Sequence, residues 1–280
     1  MKKRAFLFSM GLLLLTDSFT FLHAEKIRGN ENIITKEIQV SNFKSIVVGP
    51  GVECSSRFFN FKKNAYQSPV LNYTQTKETT ALSVTMDENL FSYVEIISDE
   101  NELSIRTRRG IAINPSRLEI NASSKELKQV TVSGCIDFVT ANSFKSDQLA
   151  IDISGASNVK LNHSAQIELF DIRISGAGDL LAEELVCKKL EINISGAGDI
   201  KIKGKADRAN FTVSGAGDIN AYDFIVEDLE CKVSGSGDAK IMATETLNAS
   251  VSGIGDIRYK GNAKANTRVS GFGGIKKVDN

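Results

Sequence analysis

The stretch LEINISGAGDIKI, residues 190–202, contains the unit that decides the fold of this chain. Apolar and polar residues alternate on both sides of a Ser-Gly-Ala-Gly-Asp segment. A period of two is typical of strands that bury one face. We expect the two glycines to supply positive φ angles at a tight corner between the strands. The stretch therefore predicts a strand, a turn and a second strand.

The Ser-Gly-Ala-Gly-Asp segment recurs along the second half of the chain. Identical copies begin at Ser175, Ser195 and Ser214, and looser copies begin at Ser133, Ser154, Ser234, Ser252 and Ser270. The copies are 18 to 21 residues apart, too close for a propeller blade of roughly 40 residues. That length suits one coil of a parallel β-helix, in which each strand pairs with its counterpart one repeat later at about 4.8 Å. We predict an all-β, right-handed parallel β-helix, a solenoid with coils of about 18–21 residues.

The part of the chain before the repeats is less regular. We assign residues 34–120 to an irregular N-terminal β part with an insertion at residues 55–80, and residues 121–276 to the repetitive part of the same domain. Phe43 to Val52 reads as an eroded first repeat with Gly49-Pro50-Gly51 at its corner. Because an open end coil would offer unpaired backbone to other chains, we expect the N-terminal part to form a cap.

The first 24 residues have the features of a secretory signal peptide. Lys2, Lys3 and Arg4 precede an apolar run from Ala5 to Leu15, which is too short to span a bilayer. No other segment reaches transmembrane length, and the first cysteine is Cys54, so the signal offers no site for a lipid. We expect an exported protein that is not a lipoprotein and is located in the periplasm, at the cell surface or in the medium.

The overall charge is balanced. The chain has 34 Lys and Arg residues and 34 Asp and Glu residues, which gives a net charge of zero. A balanced charge argues against nucleic acid or an anionic membrane surface as the main partner.

The four cysteines could pair in an oxidising compartment. However, Cys135, Cys187 and Cys231 occupy three different positions of the repeat, and Cys54 precedes it. This favours buried free thiols and leaves a structural disulfide as the alternative. No Cys-x-x-Cys or Cys/His spacing indicates a metal site.

The aspartates of the repeats form the most conspicuous polar set. In the predicted solenoid they stack one coil apart and repel one another unless each is compensated. We expect compensation by backbone N–H groups of the turn and by the repeat serine. The alternative is calcium bound between successive coils through carboxylate oxygens, the one cofactor that the sequence suggests. Its candidate ligands are Asp179, Asp199, Asp218, Asp238 and Asp256.

An aromatic group stands out in the insertion. It comprises Phe58, Phe59, Phe61, Tyr66 and Tyr73, surrounded by Lys, Asn and Gln. The segment could pack over the end of the solenoid, or the rings could form a platform that stacks on sugars.

The sequence identifies no catalytic residue. His163 is the only histidine after the signal peptide, and no Gly-x-Ser-x-Gly motif accompanies it. Stacked acids about 5 or 9.6 Å apart match the carboxylate separations of glycosidases, so a polysaccharide lyase or hydrolase is the alternative function. An active site differentiates its two acids, however, whereas this chain repeats one.

The repeats resemble a known bacterial family, the putative auto-transporter adhesin, head GIN domain. The resemblance rests on the eight Ser-Gly copies, the Phe43-Lys44-Ser45-Ile46 entry, Leu103-Ser104-Ile105 and the closing Tyr259-Lys260-Gly261, and it covers about residues 34–276. It implies a parallel β-helix in exported proteins, chiefly of unknown function, and brings no catalytic residues. We expect a non-enzymatic binding module for a glycan or an envelope protein. A structural spacer is the second alternative, and the oligomeric state stays open.

Overall fold

The chain folds into a column of stacked parallel β-coils. A computed structural model describes residues 24–53 and 68–279. It is 62% strand and 2% helix and forms a β-solenoid of about seven turns, which confirms the predicted fold class. The predicted signal peptide at residues 1–24 lies almost wholly outside the described residues.

Twenty-one strands and a single 3-10 helix are present in the described residues. The 3-10 helix is Glu88–Tyr93, and the strands are β1 Glu25–Arg28, β2 Ile33–Ile38, β3 Ser45–Val48, β4 Val70–Gln75, β5 Ala81–Asp87, β6 Val94–Ser98, β7 Glu102–Thr107, β8 Ile111–Asn114, β9 Leu118–Ser124, β10 Gln129–Val132, β11 Asp137–Thr140, β12 Phe144–Ile153, β13 Val159–Leu161, β14 Ala165–Ile174, β15 Leu180–Ile194, β16 Ile200–Val213, β17 Ile219–Val233, β18 Ala239–Val251, β19 Ile257–Lys260, β20 Lys264–Val269 and β21 Ile275–Lys277.

Each regular coil is a single long strand that bends twice and ends at the Ser-Gly-x-Gly-Asp corner. In β15 the inward-facing positions, from Leu180 to Ile194, are buried, and the pattern shifts by one residue at each bend. Ile192 of β15 lies beside Phe211 of β16 in parallel register, and both side chains are buried. Truncating one such side chain to alanine typically costs about 2–5 kcal/mol, so the stacked interior holds the coils together.

The repeat glycines are required for a different reason from the one predicted. Positive φ angles occur at Gly51, Gly110, Gly204 and Gly261. Gly51 is at the corner of the eroded first repeat, so the φ-based prediction is confirmed there, but it is wrong for the glycines of the Ser-Gly-x-Gly-Asp corners. A Cβ placed on Gly196 would instead lie 1.8 Å from the carbonyl oxygen of the equivalent glycine one coil earlier. Glycine is needed at the corner because the neighbouring backbone fills the space where a side chain would start.

The N-terminal coils stack in an order that differs from the sequence. Strand β3 lies between β7 and β10, and β4 lies between β9 and β11. The coil that contains β3 and β4 is therefore inserted between the coil that contains β7 and β9 and the first regular repeat. Phe43 to Val52 is a true coil segment, as predicted. Residues 70–75, which we assigned to the insertion, form a core strand.

The two ends of the solenoid differ in how their edge strands are covered. At the N-terminal end, β5 pairs antiparallel with β2 and β9, and β6 pairs antiparallel with β7. This arrangement forms a cap, as expected. At the C-terminal end, β20 pairs only with β18, and β21 pairs only with β19. No helix in the described part of the chain is long and apolar enough to cross a membrane.

Candidate functional site

The repeat aspartates form a continuous hydrogen-bonded ladder along one corner of the solenoid. The backbone N–H of Asp218 donates to Oδ1 of Asp199 at 2.9 Å, and the N–H of Asp238 donates to Oδ1 of Asp218 at 2.7 Å. The next bond joins the N–H of Asp256 to Oδ1 of Asp238 at 2.8 Å. Each carboxylate thus accepts a backbone N–H from the next coil, which offsets the repulsion between stacked charges.

The backbone compensation that we predicted is present, but its donors differ. We expected N–H groups of the same turn, whereas the donor belongs to the following coil. The repeat serines also bond elsewhere: Oγ of Ser214 donates to the carbonyl oxygen of Ile194 at 3.2 Å, one coil earlier. The hydrogen bonds of the corner side chains therefore link adjacent coils and do not stabilise the turn within one coil.

The ladder continues through a residue that is not an acid and ends at a glycine. Both the backbone N–H and the side-chain amide of Asn158 donate to Oδ1 of Asp137, at 2.9 and 3.0 Å. Oδ1 of Asn158 then accepts the N–H of Asp179 at 3.2 Å. At the far end, the N–H of Gly274 donates to Asp256 at 2.8 Å, but Gly274 has no oxygen to offer a further coil.

A groove with a volume of about 550 Å³ runs beside the acid ladder. The lining includes four ladder aspartates and the lysines two positions after Asn158, Asp199 and Asp238. Arg258 bonds Oδ2 of Asp256 at 3.2 Å. These cations were not predicted, although their signal can be read from the sequence: Lys160, Lys201, Lys240 and Arg258 each follow a ladder residue by two positions. The charged groove residues are Asp179, Asp199, Asp218, Asp238, Lys160, Lys201 and Lys240.

The candidate calcium ligands are brought into one row. Each has Oδ1 committed to a backbone N–H, which leaves Oδ2 for other partners. The Oδ2 atoms of Asp238 and Asp256 contact Arg258. Within residues 24–53 and 68–279, no cluster of three or more His, Cys, Asp or Glu side chains has a metal-binding arrangement. Because calcium takes six to eight oxygen ligands, water or a ligand would have to supply most of them. Calcium binding at these aspartates stays a prediction.

Tyr73 does not belong to the predicted aromatic platform. This ring is fully buried, lies 6.3 Å from the ring of Phe138 and packs edge-on against Phe144. Its hydroxyl donates to the carbonyl oxygen of Ser124 at 3.2 Å, and burial raises its pKa to about 12. A buried ring cannot stack on a sugar, so the assignment of Tyr73 to the platform is wrong. The other candidates, Phe58, Phe59, Phe61 and Tyr66, lie outside the described residues.

The cysteines divide into two kinds. Cys187 and Cys231 are buried free thiols, as favoured from the sequence, and burial raises the pKa of both to about 12. Cys135 forms a disulfide bond, so the free-thiol prediction is wrong for this residue. Cys54, the fourth cysteine of the chain, lies outside the described residues.

Comparison with known proteins identifies a family and solved structures with the same fold. The sequence pattern of the family described as "Putative auto-transporter adhesin, head GIN domain" matches residues 64–263. The chain belongs to this family. The head GIN domain resemblance of the repeats is thereby confirmed. No curated protein matches the sequence.

Solved structures of related chains have the same architecture. The chain is 29% identical to a putative adhesin from Parabacteroides merdae, with a TM-score of 0.77. It is 28% identical to a putative lipid binding protein from Parabacteroides distasonis, with a TM-score of 0.79, and 28% identical to a putative adhesin from the same species, with a TM-score of 0.77. Each comparison covers 91% of this chain and 100% of the other.

Proposed function

We propose that this head GIN domain protein is an exported, non-enzymatic binding module whose ligand is a glycan that lies along the groove beside the acid ladder. The observation that carries the proposal is the periodicity of the groove. Four successive coils each place an aspartate along the groove, and every second coil adds an ammonium group, from Lys160, Lys201 and Lys240. A linear polymer with a regular repeat would meet an equivalent acceptor in each of these four coils and an equivalent donor in every second coil.

The carboxylate and ammonium groups that line the groove can both bind sugar hydroxyl groups. Carboxylate oxygens accept hydrogen bonds from sugar hydroxyls, and lysine ammonium groups donate to sugar oxygens or carboxylates. The acids are positioned alike, with Oδ1 held by the next coil. A glycosidase needs two acids in different environments, so the uniform ladder favours binding over catalysis.

A glycan array probed with residues 25–280 tests the proposal, followed by calorimetry on any glycan that binds. The variant K201A/K240A removes two groove cations and should weaken binding at least tenfold. Lys205 is exposed on another side of the solenoid, so K205A is the matched control and should bind like the wild type. An empty array, or equal binding by all three proteins, would overturn the proposal.

A separate incubation tests the enzyme alternative. Incubation of the protein with polyuronates and other polysaccharides, followed by assays for new reducing ends and for unsaturated products, should give no product above the blank. If a product formed and the D199N variant formed none, the protein would be an enzyme on this scaffold and not a binding module.

A further inference from the structure

The balanced charge of the whole chain hides a strong separation along the solenoid. Residues 257–279, which form the last coil, contain six Lys and Arg residues and one acid, Asp279. Residues 68–256, which form most of the body, contain 18 Lys and Arg residues and 28 Asp and Glu residues. The last coil thus has a net charge of +5, while the body has a net charge of −10.

Most of the basic residues in the last coil are available to a partner. Arg258 is occupied by Asp256 and Asp238, and Lys260 lies over the ring of Tyr222 at 5.1 Å. The other four are exposed, and no carboxylate of the described residues pairs with them. They are Lys264, Arg268, Lys276 and Lys277.

Large apolar side chains are exposed at the same end. The residue between the two corner glycines is alanine or serine in four successive repeats, but it is Ile254 and Phe272 in the last two. Ile254 is 65% exposed and Phe272 is 98% exposed. Val269, at the open end of the interior stack, is 48% exposed. The most exposed aromatic ring of the described residues therefore belongs to the same coil as the four unpaired cations.

Protection of the open edge explains only part of this arrangement. Lysines on an edge strand prevent unwanted pairing with other chains, which accounts for the charges on β20 and β21. It does not account for Ile254 and Phe272, which lie at the corner and would promote association rather than prevent it. A second copy docked end to end is disfavoured as well, because two ends of charge +5 repel each other.

We infer that the last coil is a contact site for an anionic lipid surface, with Phe272 and Ile254 entering the interface and the basic residues facing lipid phosphates. Apolar side chains combined with Lys and Arg are the combination by which peripheral proteins bind such surfaces. The acidic body would be repelled from the same surface. Contact would therefore be end-on, with the glycan groove directed along the surface normal.

Vesicle co-sedimentation tests this inference with residues 25–280. The wild-type protein should pellet with vesicles of phosphatidylcholine and phosphatidylglycerol in equal parts. It should stay in solution with vesicles of phosphatidylcholine alone, and salt should release it, since salt screens exposed charges. Reversing two charges in K276E/K277E should lower the apparent affinity at least tenfold, and F272S should lower it severalfold without changing the charge.

Matched variants separate this site from the rest of the molecule. K145E/K205E makes the same charge change on the body and should bind vesicles like the wild type, as should the groove variant K201A/K240A. Equal binding by K276E/K277E and K145E/K205E would overturn the inference, as would an absence of vesicle binding. Binding to polyglutamate but not to vesicles would also overturn it, in favour of an acidic protein partner.

Discussion

The backbone N–H of Asp199 donates a 2.9 Å hydrogen bond to Oδ1 of Asp179, the equivalent acid one coil earlier. A second hydrogen bond joins the same two coils in the opposite direction: the N–H of Leu180 donates to the carbonyl oxygen of Asp199 at 2.9 Å. The two bonds link adjacent coils at the corner where the backbone turns most sharply. The acid of the repeat is therefore a connector between coils, and only its second oxygen is left for a ligand.

The first prediction separates the acceptor role of Asp199 from its charge. Asp199→Ala removes the acceptor for the N–H of Asp218 and should lower the free energy of unfolding by about 1 kcal/mol, the usual net value of such a bond. Asp199→Asn should stay within about 0.5 kcal/mol of the wild type, because Asn158 already fills this position of the ladder. Urea unfolding followed by circular dichroism measures both.

The control for this pair is Asp223→Ala, which removes an exposed acid without a hydrogen bond and should be close to neutral. If Asp199→Asn were as destabilising as Asp199→Ala, the charge rather than the acceptor oxygen would hold the ladder together.

The second prediction concerns the close approach of the corner glycines. In Gly196→Ala the new methyl group would lie 1.8 Å from a backbone oxygen, so the coils would have to separate locally. We expect destabilisation of at least about 3 kcal/mol, the upper end of typical overpacking costs. At Gly274 the nearest atom to a new Cβ is 3.5 Å away, so Gly274→Ala should be tolerated. Similar melting temperatures for the two variants would contradict this account of the repeat.

The sequence was sufficient to predict the solenoid because its signal is local. Alternation and the interval between serines can be read within each repeat, and both are direct consequences of strand geometry and coil length. The role of the glycines could not be read in this way. The glycines are required because the backbone of the neighbouring coil lies so close. Within a single repeat, a tight turn accounts for the glycines equally well.

The misassignments in the N-terminal part have a similar cause. Val70 to Gln75 was grouped with a polar insertion because of its average composition, although Leu71 and Tyr73 alternate with polar residues as a core strand requires. The stacking of β3 between β7 and β10 is a long-range arrangement. No local sequence pattern distinguishes this arrangement from one in which the coils stack in the order of the sequence.

The third prediction concerns the cysteines. Cys187 and Cys231 are free and Cys135 is disulfide-bonded, and Cys54 is the one other cysteine of the sequence. Non-reducing proteolysis and mass spectrometry should therefore recover a peptide pair that joins Cys54 to Cys135. Ellman's reagent should detect no thiol in the native protein and two in urea, because both free thiols are buried and their pKa values are raised to about 12. Rapid labelling of native protein would contradict the buried position of these residues.

The last prediction concerns the dependence of stability on pH. Asp87 is fully buried in the N-terminal cap. Burial raises its pKa, but this is outweighed by hydrogen bonds from the hydroxyl and N–H of Ser116, at 2.6 and 2.8 Å, and from the N–H of Glu31, at 2.7 Å. The net result is a pKa below the ordinary value for aspartate.

A depressed pKa in the folded state fixes the sign of the effect. The unfolded chain takes up the proton first, near pH 3.9, so the stability that Asp87 contributes is present above that pH and is lost as the pH falls towards the folded-state pKa. Asp87→Asn should be less stable than the wild type at pH 7 and should lose less stability between pH 5 and pH 3. Asp223→Asn, an exposed acid, should follow the wild-type curve. If Asp87→Asn and the wild type lost equal stability on acidification, the buried carboxylate would not be ionised in the cap, and its hydrogen bonds would have to be reassigned to a protonated acid.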